Sequence, residues 1–267
     1  MKRLHRPPPP ALYGETHSQS GVTVPLPKHW YQTLRTPEGG IKERWDSQRQ
    51  NKQPIREGLK ELSDGCCAWC GKKLDPLWTV DHYLPKEKFP RLAYHWPNLL
   101  PACSTCNTKF KGSYAPPTLA NDSLADPVIG LDPEQTCDFS ALLPAHPKRL
   151  VHPSEEDPDQ HLKFNPTLMR YQAKTEAGTE TNQRFFGGGS DGGFAQKMAD
   201  LSRKIEHELK HPEPHTGIQL LKELIGQHHF IDAFVAYWQS FSNEAGANNR
   251  PTDSAAIVSP EARTDTH

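Results

Sequence analysis

The chain has 267 residues, room for one or two domains. Apolar side chains make up 34% of it, 26 residues are proline and the mean hydropathy is −0.77, so a folded chain with a thin core and long loops is expected. A net charge of −1 excludes a uniformly basic surface, no run approaches the roughly 20 apolar residues of a membrane span, and Met1–Arg6 leads into Pro7–Pro10 without the apolar stretch of a secretory signal.

A cytoplasmic location is the resulting expectation. In that reducing compartment the six cysteines are metal ligands or catalytic groups rather than disulfides. Charge is uneven along the chain. Residues 1–65 hold 11 Lys/Arg against 7 Asp/Glu, and residues 66–114 hold 7 against 3. Residues 115–160 reverse this, with 2 against 9. A polyanion would therefore meet the first part of the chain.

Residues 1–27 read as an extended proline-rich arm, either solvated or laid along a partner. Residues 28–65 form an N-terminal helical segment, with a helix over 39–63. Ile55, Leu59 and Leu62 share one apolar face, Pro54 falls in the first turn of a renewed helix and Gly65 marks the stop. Residues 66–114 are a cysteine-rich module, and 115–160 an acidic, proline-rich irregular wrap. Residues 161–242 form a C-terminal helical region. It begins with a strand near Leu162–Phe164 and a helix through Phe185, passes the glycine-rich linker 187–193, and ends with helices near 194–210 and 215–241. His228 and His229 in the last helix read as surface or packed residues. Residues 243–267 read as a disordered tail.

Within the module, Cys67-Ala-Trp-Cys70 and Cys103-Ser-Thr-Cys106 are two C-x-x-C knuckles. Two such turns can close a tetrahedral four-thiolate shell round Zn²⁺, a structural site with no position left for water. Gly71 suits the tight turn after the first knuckle. Cys66 is an alternative ligand with the wrong spacing, and Cys137 reads as packed. Between the knuckles, Thr79–Leu84 has strand character ended by Pro85, and Ser104–Lys111 can continue from the second knuckle as a short helix. Polar groups then gather at three places: Asp81-His82, Asn98 and Asn107.

This set suits phosphodiester hydrolysis. An imidazole can take a proton from water, while a carboxylate and an amide oxygen can hold a hard cation, Mg²⁺ or Mn²⁺, beside the scissile phosphate. On a regular strand Asp81 and His82 point to opposite sides. A twist must bring them to one site, or one faces the metal and the other the water. Lys86, Lys88, Arg91, Lys109 and Lys111 form a candidate phosphate track. Trp69, Trp78 and Trp96 read as walls of the module, and His95 as a surface residue.

The run Val80-Asp81-His82-Tyr83-Leu84-Pro85-Lys86, followed by Trp96-Pro97-Asn98-Leu99-Leu100-Pro101-Ala102-Cys103-Ser104-Thr105-Cys106-Asn107, resembles the HNH endonuclease family. More narrowly it resembles the HNH subunit of the Septu and retron-associated anti-phage systems. The resemblance covers about residues 66–114, with a weaker extension over His152–Pro158 and His161–Phe164. It implies a ββα-metal fold with His82 as general base, Asp81 and Asn107 on the catalytic ion, and Asn98 fixing the loop and orienting the histidine. It also implies DNA as substrate and a partner ATPase of the ABC/SMC-like (PtuA-like) type. Family members commonly follow the last asparagine with x-x-Lys-Gly, whereas Asn107-Thr108-Lys109-Phe110-Lys111-Gly112 is one residue longer. Both lysines therefore stand as candidates for the phosphate.

The expected fold class is α+β, a mainly helical chain with a zinc-stapled ββα-metal module and long irregular loops. The expected function is a metal-dependent endonuclease. The alternatives are a zinc-stapled adaptor that docks on an ATPase and a standalone restriction-type nuclease.

Overall fold

The computed structural model describes residues 1, 3–19, 22–25, 49–119, 138–165, 170–186 and 203. The glycine-rich linker, the helices expected near 194–210 and 215–241 with His228 and His229, Cys137 and the C-terminal tail lie outside the described residues. Among the described residues the fold mixes short helices with three two-stranded antiparallel sheets.

The arm is more structured than its prolines suggested. A 3-10 turn at Ala11–Gly14 precedes a hairpin of β1 (Thr16–Gln19) and β2 (Val22–Pro25). Leu4 and Leu12 are buried in the common core, and the Leu4 amide donates to the Pro153 carbonyl at 2.8 Å. The arm thus folds back on the protein because it carries two apolar anchors, one on each side of Pro7–Pro10.

Helix α1 runs from Arg49 to Leu62. Its expected face is the buried one, with Ile55 and Leu59 fully inaccessible and Leu62 beside them. Pro54 sits inside the helix and not in a first turn. The cost is one missing amide donor, which burial of the apolar face offsets. Gly65 ends the helix at φ +73°, its amide returning to the Lys60 carbonyl at 2.8 Å.

Strand β3 (Thr79–His82) pairs with β4 (Leu99–Ala102), with Asp81 opposite Leu100 and His82 opposite Leu99. Two 3-10 turns, Pro90–Leu92 and Trp96–Asn98, lie on the connection between them. The helix after β4 is a π-helix, Thr105–Lys111. This strand–strand–helix unit packs on α1, and β4 is buried at all four positions.

Beyond the module come α2 (Phe139–Leu142), α3 (Pro158–His161), β5 (Leu162–Asn165), β6 (Arg170–Ala173) and α4 (Glu176–Thr181), which runs into a second π-helix, Asn182–Phe186. The strand expected at Leu162–Phe164 is β5. Its partner β6 occupies part of the stretch read as helix, and the Phe164 and Tyr171 rings meet edge-on at 5.3 Å across the pair. The described part of the acidic segment does more than wrap the surface. Phe139, Leu143, Leu150 and Val151 are buried, and buried Arg149 pairs with Glu156.

Candidate active site

The four expected thiols converge. The Sγ atoms of Cys67, Cys70, Cys103 and Cys106 all lie within 4.8 Å of one another, and Cys70 Sγ is 3.9 Å from Cys103 Sγ. Four Zn–S bonds of ~2.3 Å in a tetrahedron place sulfurs about 3.8 Å apart, so the cage matches zinc. Local backbone sets it up. The Gly71 amide returns to Cys67 O at 2.9 Å with Gly71 at φ +69°, and the Ala68 amide ties the knuckle to Pro101 of β4 at 2.8 Å. Burial pushes the Cys67 thiol well up, while hydrogen bonds from Cys106, Cys67 and Cys70 pull Cys103 strongly down. A divalent cation would make four thiolates at this spacing compatible. Cys66 stays outside this cage, its backbone paired with that of Lys73 in an isolated antiparallel β-bridge.

Beside the cage, Val80, Asp81, His82, Pro85, Lys86, Glu87, Asn107, Lys111, Gly112 and Ser113 line an open cleft of about 260 Å³. Asp81 and His82 both border it although they are neighbours on β3. Asp81 is 2% exposed. Its Oδ2 accepts from the Trp69 indole N–H at 2.7 Å, and its Oδ1 lies 3.0 Å from the Lys111 ammonium. Burial raises the Asp81 carboxyl above the ordinary carboxylate range, against the opposing pull of Lys111, Trp69 and the His82 amide.

His82 turns toward the β3–β4 connection, where Nε2 lies 2.9 Å from the Ala93 carbonyl. A carbonyl can only accept, so Nε2 carries the proton in the neutral ring and Nδ1 carries the lone pair. Asn98 is fully buried. Its Oδ1 accepts from the Leu84 amide at 2.7 Å, and its Nδ2 donates to Leu84 O at 3.0 Å and Leu92 O at 2.9 Å. It is a loop clamp just behind His82 and does not border the cleft. Asn107 borders the cleft, and its Nδ2 donates to Thr79 Oγ1 at 2.8 Å, which leaves the amide oxygen as the end of the group with a ligand's chemistry.

Lys111 departs most from expectation. It is 3% exposed, and its ammonium also donates to the His82 carbonyl at 2.6 Å. It is a buried cation clamped to β3 rather than part of a solvated track. The π-helix explains how it gets there. One extra residue in an α-helix would rotate everything downstream by about 100°. Here the Gly112 amide returns five residues to Asn107 O at 2.9 Å, so the wider turn absorbs the residue.

Lys86 borders the cleft, whereas Lys88 and Lys109 are exposed outside it. The Arg91 side chain lies outside the described set. Of the tryptophans, Trp78 lies buried under the Arg56 guanidinium, 3.8 Å from its ring centre, and Trp96 packs against the arm. Trp69 holds Asp81, a role its place inside the first knuckle did not announce. Phe185 stacks on the Trp69 ring at 4.6 Å and fixes it. His95 is half-buried, its ring 5.8 Å from Phe139.

A divalent ion fits the oxygen donors here by chemistry, one carboxylate and one amide oxygen. A carboxylate has about four acceptor positions, and Asp81 uses two of them on Trp69 and Lys111.

Comparison with known proteins agrees with this geometry. Residues 67–111 match the HNH endonuclease family. An 81-residue stretch is 38% identical to a Septu protein PtuB of Bacillus thuringiensis, covering 29% of this chain and 28% of that protein. A longer match to a Septu protein PtuB of Bacillus mycoides (strain KBAB4) is 24% identical over 189 residues, 65% of this chain and 58% of the other. The chain thus spans less than two thirds of the length of these relatives. No solved structure matches it. No helix among the described residues is long and apolar enough to cross a membrane. The unit that brings four thiols beside Asp81, His82 and Asn107, residues 67–111, matches the HNH endonuclease family, in a chain similar to the Septu PtuB proteins.

Proposed function

We propose that this chain is a metal-dependent endonuclease that hydrolyses phosphodiester bonds in DNA, as the nuclease effector of an ATPase-associated anti-phage complex. The observation that carries the reading is His82, which borders the cleft with Asp81 and Asn107 while its Nε2 is committed to the Ala93 carbonyl. In this reading Nδ1 takes a proton from water, and the resulting hydroxide attacks phosphorus as the bond to the 3′ oxygen breaks. A 5′-phosphate and a 3′-hydroxyl result. Asp81 and Asn107 would hold one Mg²⁺ or Mn²⁺, which when bound stabilises the charge developing on the phosphate. Lys86, Lys88 and Lys109 contact flanking phosphates, and Asn98 acts by holding the loop. Zn²⁺ in the Cys67, Cys70, Cys103 and Cys106 cage is structural. The ATPase role and the defence setting rest on the likeness to the Septu PtuB proteins.

A second reading, a zinc-stapled adaptor docked on an ATPase, draws on Asp81 already being neutralised by Lys111. One assay separates the two. Duplex DNA is incubated with the chain, alone and copurified with its ATPase, in Mg²⁺ or Mn²⁺. The nuclease reading expects cleavage that falls about 10²–10⁴-fold in His82→Ala. Equal cutting by wild type and variant, or an assembled complex that does not cut, overturns it.

A further inference from the structure

Two features that the catalytic reading does not use meet at one place: the proline-rich arm and the His152-Pro153-Ser154-Glu155 segment. Between them lies the turn Trp96–Leu99, which carries Asn98. Backbone carbonyls in a buried turn need donors, and here all four have them. Arg6 Nη1 donates to Trp96 O at 2.8 Å and to Leu99 O at 3.1 Å, and Arg6 Nη2 to Pro97 O at 3.1 Å. His152 Nε2 adds a second bond to Pro97 O at 3.1 Å, and the Tyr83 amide serves Asn98 O at 2.8 Å.

The guanidinium is itself held from behind. Arg6 Nη2 donates to Ser154 Oγ at 2.8 Å, and Nε lies 3.3 Å from Glu155 Oε1. The Trp96 indole N–H donates to Pro7 O at 3.0 Å, which seats the arm on the turn it grips. His152 is fully buried against the Tyr83 ring at 4.3 Å. The planar fork of arginine is what allows one side chain to reach three carbonyls, and lysine has no equivalent geometry.

From this turn the path to the cleft is short. Asn98 clamps Leu84 and Leu92, and the next residue, Ala93, supplies the carbonyl that orients His82. We propose that Arg6, backed by His152, is a positioning residue for His82, and that the N-terminal arm is a strap that fixes the catalytic loop from behind. The proposal rests on the nuclease reading of the cleft only for its kinetic consequence. The strap itself can be tested without DNA.

The experiment uses the full chain with its copurified ATPase, as wild type, Arg6→Ala and Arg6→Lys. Amide exchange is expected to rise at Leu84 and Asn98 in both variants, while Cys67 and Gly71 in the zinc knuckle stay protected and zinc content is unchanged. On DNA, kcat is expected to fall about 10–100-fold, the scale of outer-shell partners, with KM unchanged. Millimolar guanidinium ion should restore Arg6→Ala, and Arg6→Lys should stay low despite its charge. Unchanged exchange at Leu84 and Asn98 overturns the strap. So does a loss of activity that follows lost zinc or a uniform loss of protection and that guanidinium does not rescue. Wild type that fails to cut, together with the expected exchange pattern, leaves the strap standing and removes the nuclease reading instead.

Discussion

The wall of the cleft that carries Asn107 and Lys111 hangs from thiols drawn from residues 67–106, whereas the turn that carries Asn98 is gripped by side chains 55 and 91 residues away. In the first region an ion held by the four thiols would add cohesion to the buried apolar contacts. The second depends on buried hydrogen bonds, which hold only while every partner stays in place. The candidate site therefore combines a local four-thiol staple with a non-local polar clasp behind it. The two regions should fail differently.

Removing the staple is the largest test. Cys106→Ser, or chelation of the wild type, is expected to lose a folding contribution of about 10–16 kcal/mol. Zinc content and amide exchange would show the knuckles and the π-helix opening first. Simultaneous opening of the Trp96–Leu99 turn would show that the two regions are one cooperative unit.

Next comes Lys111→Met, which strips the buried Asp81 of its countercharge. Breaking such a pair costs about 3–5 kcal/mol, measurable by urea unfolding. Because a cation can replace the lost ammonium, Mn²⁺ is expected to raise the melting temperature of the variant more than that of wild type. An equal rise would separate the lysine from the ion-binding carboxylate.

Trp69→Phe keeps the stack on Phe185 and deletes one hydrogen bond to Asp81. The expected loss is about 1.5–3 kcal/mol, as for a bond to a charged group, again by urea unfolding.

The smallest effect tests the clasp by pH. Burial holds the His152 imidazole well below its ordinary value, with Arg6, Arg149 and His95 nearby pushing the same way and the Pro97 carbonyl opposing. The folded ring stays neutral where the unfolded one takes up a proton. Stability is therefore expected to fall as pH drops below about 6.5, by at most about 1.4 kcal/mol per pH unit from this residue. His161, also lowered by burial, adds in the same direction. Melting curves of wild type and His152→Gln between pH 7 and 5 would show a flatter dependence in the variant.

The same contrast explains what the sequence made legible. The knuckles, the buried face of α1 and the gathering of Asp81, His82 and Asn107 follow from spacings within a few dozen residues, where chain geometry leaves few options. Arg6 could not be read that way. An arginine that follows Lys2 and Arg3 and leads into four prolines has the signature of a solvated arm, and only the folded turn reveals three carbonyls in need of a donor. Trp69 was legible as a wall and not as a donor, because its partner Asp81 lies across the sheet. Lys111 was counted with the surface lysines, since nothing in its neighbours signals burial.

The π-helix after the second knuckle bears on how such chains change over generations. The wide turn between Asn107 and Lys111 sets the two groups against Thr79 and Asp81 within a single loop of backbone. An insertion there can pass as a silent event for the chemistry. The gap between asparagine and lysine is thus a poor ruler of descent, and a relative with a different gap can keep the same arrangement in space.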